Sequence, residues 1–170
     1  MKKTFLAIIA LCLTTLIQAQ SGVVDEMFRK YSEKDGFTVV TISGRMFSMI
    51  ANLDTDQKNA DNIISNLESI QILSVEDSLL NRDLNFYTEL SRKLNFSAYE
   101  ELMVIKEGRN ITKFLIRQNK DRVAELLMIT GGPGGNSLIS IKGNLSMKNI
   151  SDLSKGMNIK ELEGLEKMKK

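Results

Sequence analysis

The glycine-rich stretch Gly131-Gly132-Pro133-Gly134-Gly135 is the first place to look for chemistry, because backbone N–H groups in such a loop can cradle a phosphate. A phosphate loop opens a helix and often carries Lys-Ser/Thr at its end. Here Asn136 and the strand-like run SLISIK follow instead. The spacing therefore predicts a hairpin turn, in which glycine supplies the positive φ values that a tight reversal needs. Beyond the turn, Ser140 and Lys142 alternate on one face of the next strand, which places a hydroxyl beside an amine. No Ser-x-x-Lys occurs in the chain, and alternating polar residues at these positions are expected to mark a solvent-facing side.

The remaining groups that could do chemistry are weaker. Glu100 and Glu101 are neighbours on a strand, so their side chains point to opposite faces and cannot form a local acid–base pair. A pair of acids brought together over a long range stays open. Met46 and Met49 could offer thioethers to Cu(I), but beside Phe47 and Ile50 they are expected to fill the core. Asp54 and Asp56 lack the glycine and the distal Glu of a calcium loop. Asp83 falls within an apolar helical stripe and is expected at the exposed first turns of that helix. The chain has no histidine, and Cys12 is its single cysteine. Cys/His zinc sites, Ser-His-Asp triads and thiol nucleophiles are thereby excluded from the rest of the chain. No metal, no cofactor and no enzymatic activity are expected.

These residues are positioned by a recognisable series of elements. Val23 to Lys34 has helical spacing of apolar residues, and Asp35-Gly36 ends it. FTVVTIS (37–43) and SIQILSV (69–75) are β-branched strands, with a short helix over 45–53 after the first. The polar run 52–62 reads as a loop, with a helical piece over 61–67. Glu76-Asp77-Ser78 supplies capping oxygens for a helix over 79–94, whose leucines, Phe86 and Tyr87 form one stripe. Four strands follow at 99–106, 111–117, 123–130 and 137–142, with short turns between them. Two short helical segments, 146–155 and 159–168, close the chain. The fold class is α+β: an antiparallel sheet with a C-terminal four-stranded meander and helices packed on one face.

The strand at 123–130 is apolar on both sides, with Glu125 as the exception. Simple alternation groups Val123 with Leu127 and Ile129, and Ala124 with Leu126 and Met128. One set meets the helices, and the other is covered by a second layer or available to a partner. The candidate interaction surface comprises Leu126 and Met128 with the turn residues Gly132, Pro133 and Gly134. It also takes in Leu138, Ser140 and Lys142 of the last strand.

Residues 1–19 form a separate unit. Lys2 and Lys3 precede the apolar run from Phe5 to Ile17, and Ala19 offers a small residue before a cut. That is the pattern of a signal peptide, followed by a single domain over residues 20–170. Leu11 before Cys12 is too large for lipoprotein processing, so no lipid anchor is expected. No transmembrane segment is expected after the leader. Without Lys2 and Lys3, 21 basic side chains balance 21 acidic ones, and no basic block favours nucleic acid.

In their order, VVTISGRMF, SIQILSVED, YEELMVIKEG and LISIKGNLSMKNISDL resemble the domain of unknown function 4252 family. The resemblance implies a small exported protein of Bacteroidetes-type bacteria, associated with extracytoplasmic stress signalling, and it transfers no catalytic residues. The expected function is a periplasmic or secreted, non-enzymatic module that binds an envelope protein. The alternatives are a lipid or small-ligand carrier that uses the second sheet face, and a carboxylate-based hydrolase.

Overall fold

The computed structural model describes residues 19–51 and 66–146. The expected loop and helical piece over 52–65, and the two C-terminal helical segments, lie outside the described residues. Helix α1 (Ala19–Tyr31) leads into β1 (Phe37–Ser43), α2 (Gly44–Ala51) and β2 (Leu67–Val75). Two short helices, α3 (Ser78–Asp83) and α4 (Phe86–Ser91), precede the meander β3 (Glu100–Glu107), β4 (Asn110–Asn119), β5 (Arg122–Gly131) and β6 (Ser137–Leu145). The six strands form one antiparallel sheet in the order β1-β2-β6-β5-β4-β3. The first two strands thus extend the meander beyond β6, and β5 and β6 lie at the centre.

Each sheet face carries its own apolar cluster. On one side, Val24, Met27, Phe28 and Tyr31 of α1 and Phe86 and Leu90 of α4 pack on Leu73, Leu115, Leu127, Ile129 and Leu138. Tyr31 stacks on Phe37 at 4.5 Å between ring centroids. Leu127 and Leu138 are fully buried, and each such side chain contributes about 2 kcal/mol of burial. On the other side, Phe47 of α2 joins Ile70, Phe114, Ile116, Leu126 and Ile141. The sheet is therefore apolar on both faces, as the sequence of β5 indicates.

Four expectations need correction. The helix expected over 79–94 is two helices, because Leu84 (ψ 150°) and Asn85 (ψ 97°) are extended. Asn85 caps α4 by accepting from Thr88 N–H, and Asp77 caps α3. Strict alternation fails in β5: a bulge between Val123 and Glu125 moves Val123 to the face of Leu126. Met46 and Met49 are not core filler; they are 53% and 63% exposed, while Phe47 between them is buried. Ser140 does not face solvent: its strand position turns it towards the helices, where it is fully buried. Asp83 is exposed, as expected, but it is the last residue of α3 rather than part of a helix's first turns.

Candidate functional site

Three arrangements of side chains could carry function: a buried polar cluster under α1, a charged cleft between α1 and α4, and the sheet face opposite those helices.

Glu125 organises the first. It shares the helix-covered face with Leu127 and Ile129 and is only 1% exposed. One carboxylate oxygen accepts from Ser140 Oγ at 2.7 Å. The other accepts from Tyr99 Oη at 2.8 Å and from the Arg117 guanidinium at 3.1 Å. Beside them Lys142 bridges to Asp25 of α1 at 2.7 Å. Burial, reinforced by the negative charge of Glu125, pushes the Tyr99 phenol well above its usual range, so it remains a donor. The buried carboxylate is paired and hydrogen-bonded, as a charge in such a place must be. Ser140 is sealed from solvent, so no substrate atom reaches its hydroxyl. The cluster fastens β4, β5, β6 and the segment leading into β3 under α1.

The cleft has a volume of about 600 Å³ and is lined by Glu26, Lys30, Asp83, Glu89, Arg92 and Lys93. Three acids line it, and a carboxylate hydrolase needs two in one cleft, with one of them held protonated. Glu26 is pulled down by its hydrogen bond and ion pair with Lys93, at 2.8 Å. Burial raises Glu89, but hydrogen bonds from Lys30 at 2.6 Å and Tyr31 at 2.7 Å outweigh it and hold the carboxyl below its usual value. Glu26 and Glu89 are thus both held in the ionised form at neutral pH. Among the described residues no group of three or more Asp, Glu, His or Cys converges to hold a metal.

The third arrangement comes from strand register. Val40, Ile72, Ile139, Met128, Phe114 and Met103 are aligned partners across all six strands. One step along the strands, Thr38, Ser74, Ser137, Thr130 and Thr112 form a second aligned row, which ends on Ile105. Thr112 and Thr130 hydroxyls lie 3.0 Å apart. On the other side of the apolar row, Ile70, Ile141, Leu126 and Ile116 are buried. The face thus grades from a dry apolar row, through one that is half-buried except at exposed Val40 and buried Phe114, to a row of hydroxyls. Neither the hydroxyl row nor the apolar row beside it contains a charged side chain.

The candidate surface read from the sequence is divided by this geometry. Leu126 and Met128 belong to the graded face, Leu126 buried and Met128 half-buried. Leu138, Ser140 and Lys142 lie on the opposite, helix-covered face. Gly132, Pro133 and Gly134 form the β5–β6 turn, as expected, and its amides are committed. Gly134 N–H donates to Asn110 Oδ1 at 2.8 Å, and Gly135 N–H to Gly132 O at 3.1 Å. A family model described as a domain of unknown function, DUF4252, matches residues 31–153. The chain belongs to the DUF4252 family. No curated protein and no solved structure gives a significant match. In this DUF4252 chain, as sequence reasoning missed, Asn136 is a second buried polar centre. Its side chain accepts from Phe86 N–H at 2.8 Å and donates to Gly132 O at 3.0 Å and Asn81 Oδ1 at 3.0 Å. Its place straight after a glycine turn was the available signal, as the lone charge in an apolar strand was for Glu125. No helix among the described residues of this family member is long and apolar enough to cross a membrane.

Proposed function

We propose that this DUF4252 protein is a non-enzymatic binding module. It works in the periplasm or outside the cell after residues 1–19 have directed its export, and it contacts an envelope protein through the sheet face opposite α1 and α4. The observation that carries this reading is the pair of aligned rows, one apolar and one of hydroxyls, running side by side across the sheet. An uncharged, graded surface of this kind suits a partner that offers apolar side chains beside neutral hydrogen-bonding groups. The ionised Glu26 and Glu89 of the cleft and the sealed Ser140 support a non-catalytic role. The family resemblance adds an association with extracytoplasmic stress signalling.

The test is a photo-crosslinking residue at Ser137 in the hydroxyl row, with one at exposed Glu33 as control, in cells. A discrete adduct with an envelope protein from position 137 alone is expected. Equal, diffuse labelling from both positions would remove the reading. A second reading, a lipid or small-ligand carrier, is favoured by the grading from buried apolar to hydroxyl positions. Native mass spectrometry of the exported protein then detects a bound small molecule, and a bare polypeptide mass in repeated preparations counts against it.

A further inference from the structure

The two edges of the sheet are built differently. β3 carries Glu100, Glu101, Lys106 and Glu107 and a register shift between Glu101 and Met103. Charges and bulges are the means by which an edge strand refuses further strands. β1, at the other edge, is FTVVTIS: seven residues with no charge and no proline, paired to β2 without a register shift. Of the four exposed large hydrophobic residues among those described, three belong to β1 or to the helix that follows it directly: Val40 of β1 at 40%, and Met46 and Met49 of α2. Among the described residues β1 pairs only with β2, and an edge of this composition is a template for strand addition.

We propose that β1 pairs antiparallel with β1 of a second copy of this chain, joining two sheets edge to edge. The chemistry of the edge specifies its occupant: an extended, uncharged, β-branched segment that supplies backbone N–H and C=O groups. β1 is itself such a segment, already held extended by β2. A twofold pairing is self-complementary, so the same patch must fit itself. Full overlap of the seven residues puts Val40 on the axis, Thr38 opposite Ile42 and Val39 opposite Thr41, with no charges opposed. Each α2 begins where its β1 ends, beside the first residues of the other copy's strand. Met46 and Met49 thereby gain a surface to cover. Because the twofold axis is perpendicular to the sheet, the apolar row that starts at Val40 continues into the second copy on the same face.

Sedimentation of the purified protein over a wide concentration range tests this. A two-chain species that dissociates on dilution is expected. Val40→Lys and, separately, Thr38→Lys at the β1 edge should convert it to a single chain, with far-UV circular dichroism unchanged because both side chains are exposed. Lys106→Glu at the β3 edge should leave the pair intact. A protein that sediments as one chain at every concentration overturns the proposal. So does a two-chain species that survives both β1 substitutions with the fold intact.

Discussion

At the scale of single residues, two buried polar side chains hold the described fold together in ways that apolar burial alone does not. Asn136 ties the β5–β6 turn to the junction between α3 and α4 through several hydrogen bonds. Asn136→Ala removes the acceptor of the Phe86 amide and a donor to the carbonyls of Asn81, Leu84 and Gly132, and each buried group left unpaired costs about 1–3 kcal/mol. A loss of about 3 kcal/mol in denaturant unfolding is expected. Glu125→Ala strands Arg117 and Tyr99 in a half-buried site, with an expected cost of about 3 kcal/mol. Glu89 gives a pH signature. Its carboxyl lies below its ordinary value in the folded protein, so its contribution is full above about pH 4.3 and is lost as the pH falls through the lowered value. The group is partly exposed, so the effect is about 1 kcal/mol or less. Chemical denaturation of Glu89→Gln should show weaker acid sensitivity than the parent chain. A variant as acid-sensitive as its parent would contradict the assignment.

Elements were legible where local chemistry fixes them. β-branched runs bounded by glycine and polar turns identify all six strands, and Asp77 is the cap that its sequence suggests. The break between α3 and α4 was not legible, because the apolar stripe of 79–94 is compatible with one helix. The interruption is held from a distance: Asn136, far along the chain, accepts from Phe86 N–H and donates to Leu84 O. The same holds for Ser140, whose burial depends on Glu125 across the strand pair. The turn between β5 and β6 shows both kinds of constraint. Gly132 has φ +143°, and a Cβ there would meet the backbone of Arg109 and Asn110. Gly135 has open space around the same position and an ordinary φ. Gly132→Ala should therefore destabilise by about 1–3 kcal/mol through strain and close contact. Gly135→Ala should be neutral or stabilise by up to about 1 kcal/mol, because it restricts the unfolded chain. Thermal unfolding of the two variants separates a turn held by its packing from one that merely tolerates glycine.

For the molecule as a whole, the meander β3 to β6 follows from short connections, but the position of β1 and β2 does not. Their pairing beside β6 joins residues about seventy positions apart, and no local pattern encodes it. The graded face was hidden for the same reason, since its rows exist only once register is set across all six strands. β6 has a particular place in this topology. It is the strand that links β1–β2 to β3–β4–β5, so neither half belongs to the same sheet without it. Leu138 of β6 is fully buried against residues of both halves, among them Leu73 and Ile129. Leu138→Ala should cost about 2–5 kcal/mol, by lost burial and the cavity left behind. If the sheet unfolds as one unit, that cost should appear equally in the amide exchange of β2, which pairs with β6, and of β4, which does not touch it, because both then exchange only through the same global opening. Hydrogen exchange resolved by residue measures it: equal loss of protection at Leu73 and Leu115 is the outcome expected. Protection that falls in β2 and persists in β4 would mean that the meander is stable alone, with β1 and β2 docked on it as a separate, weaker unit.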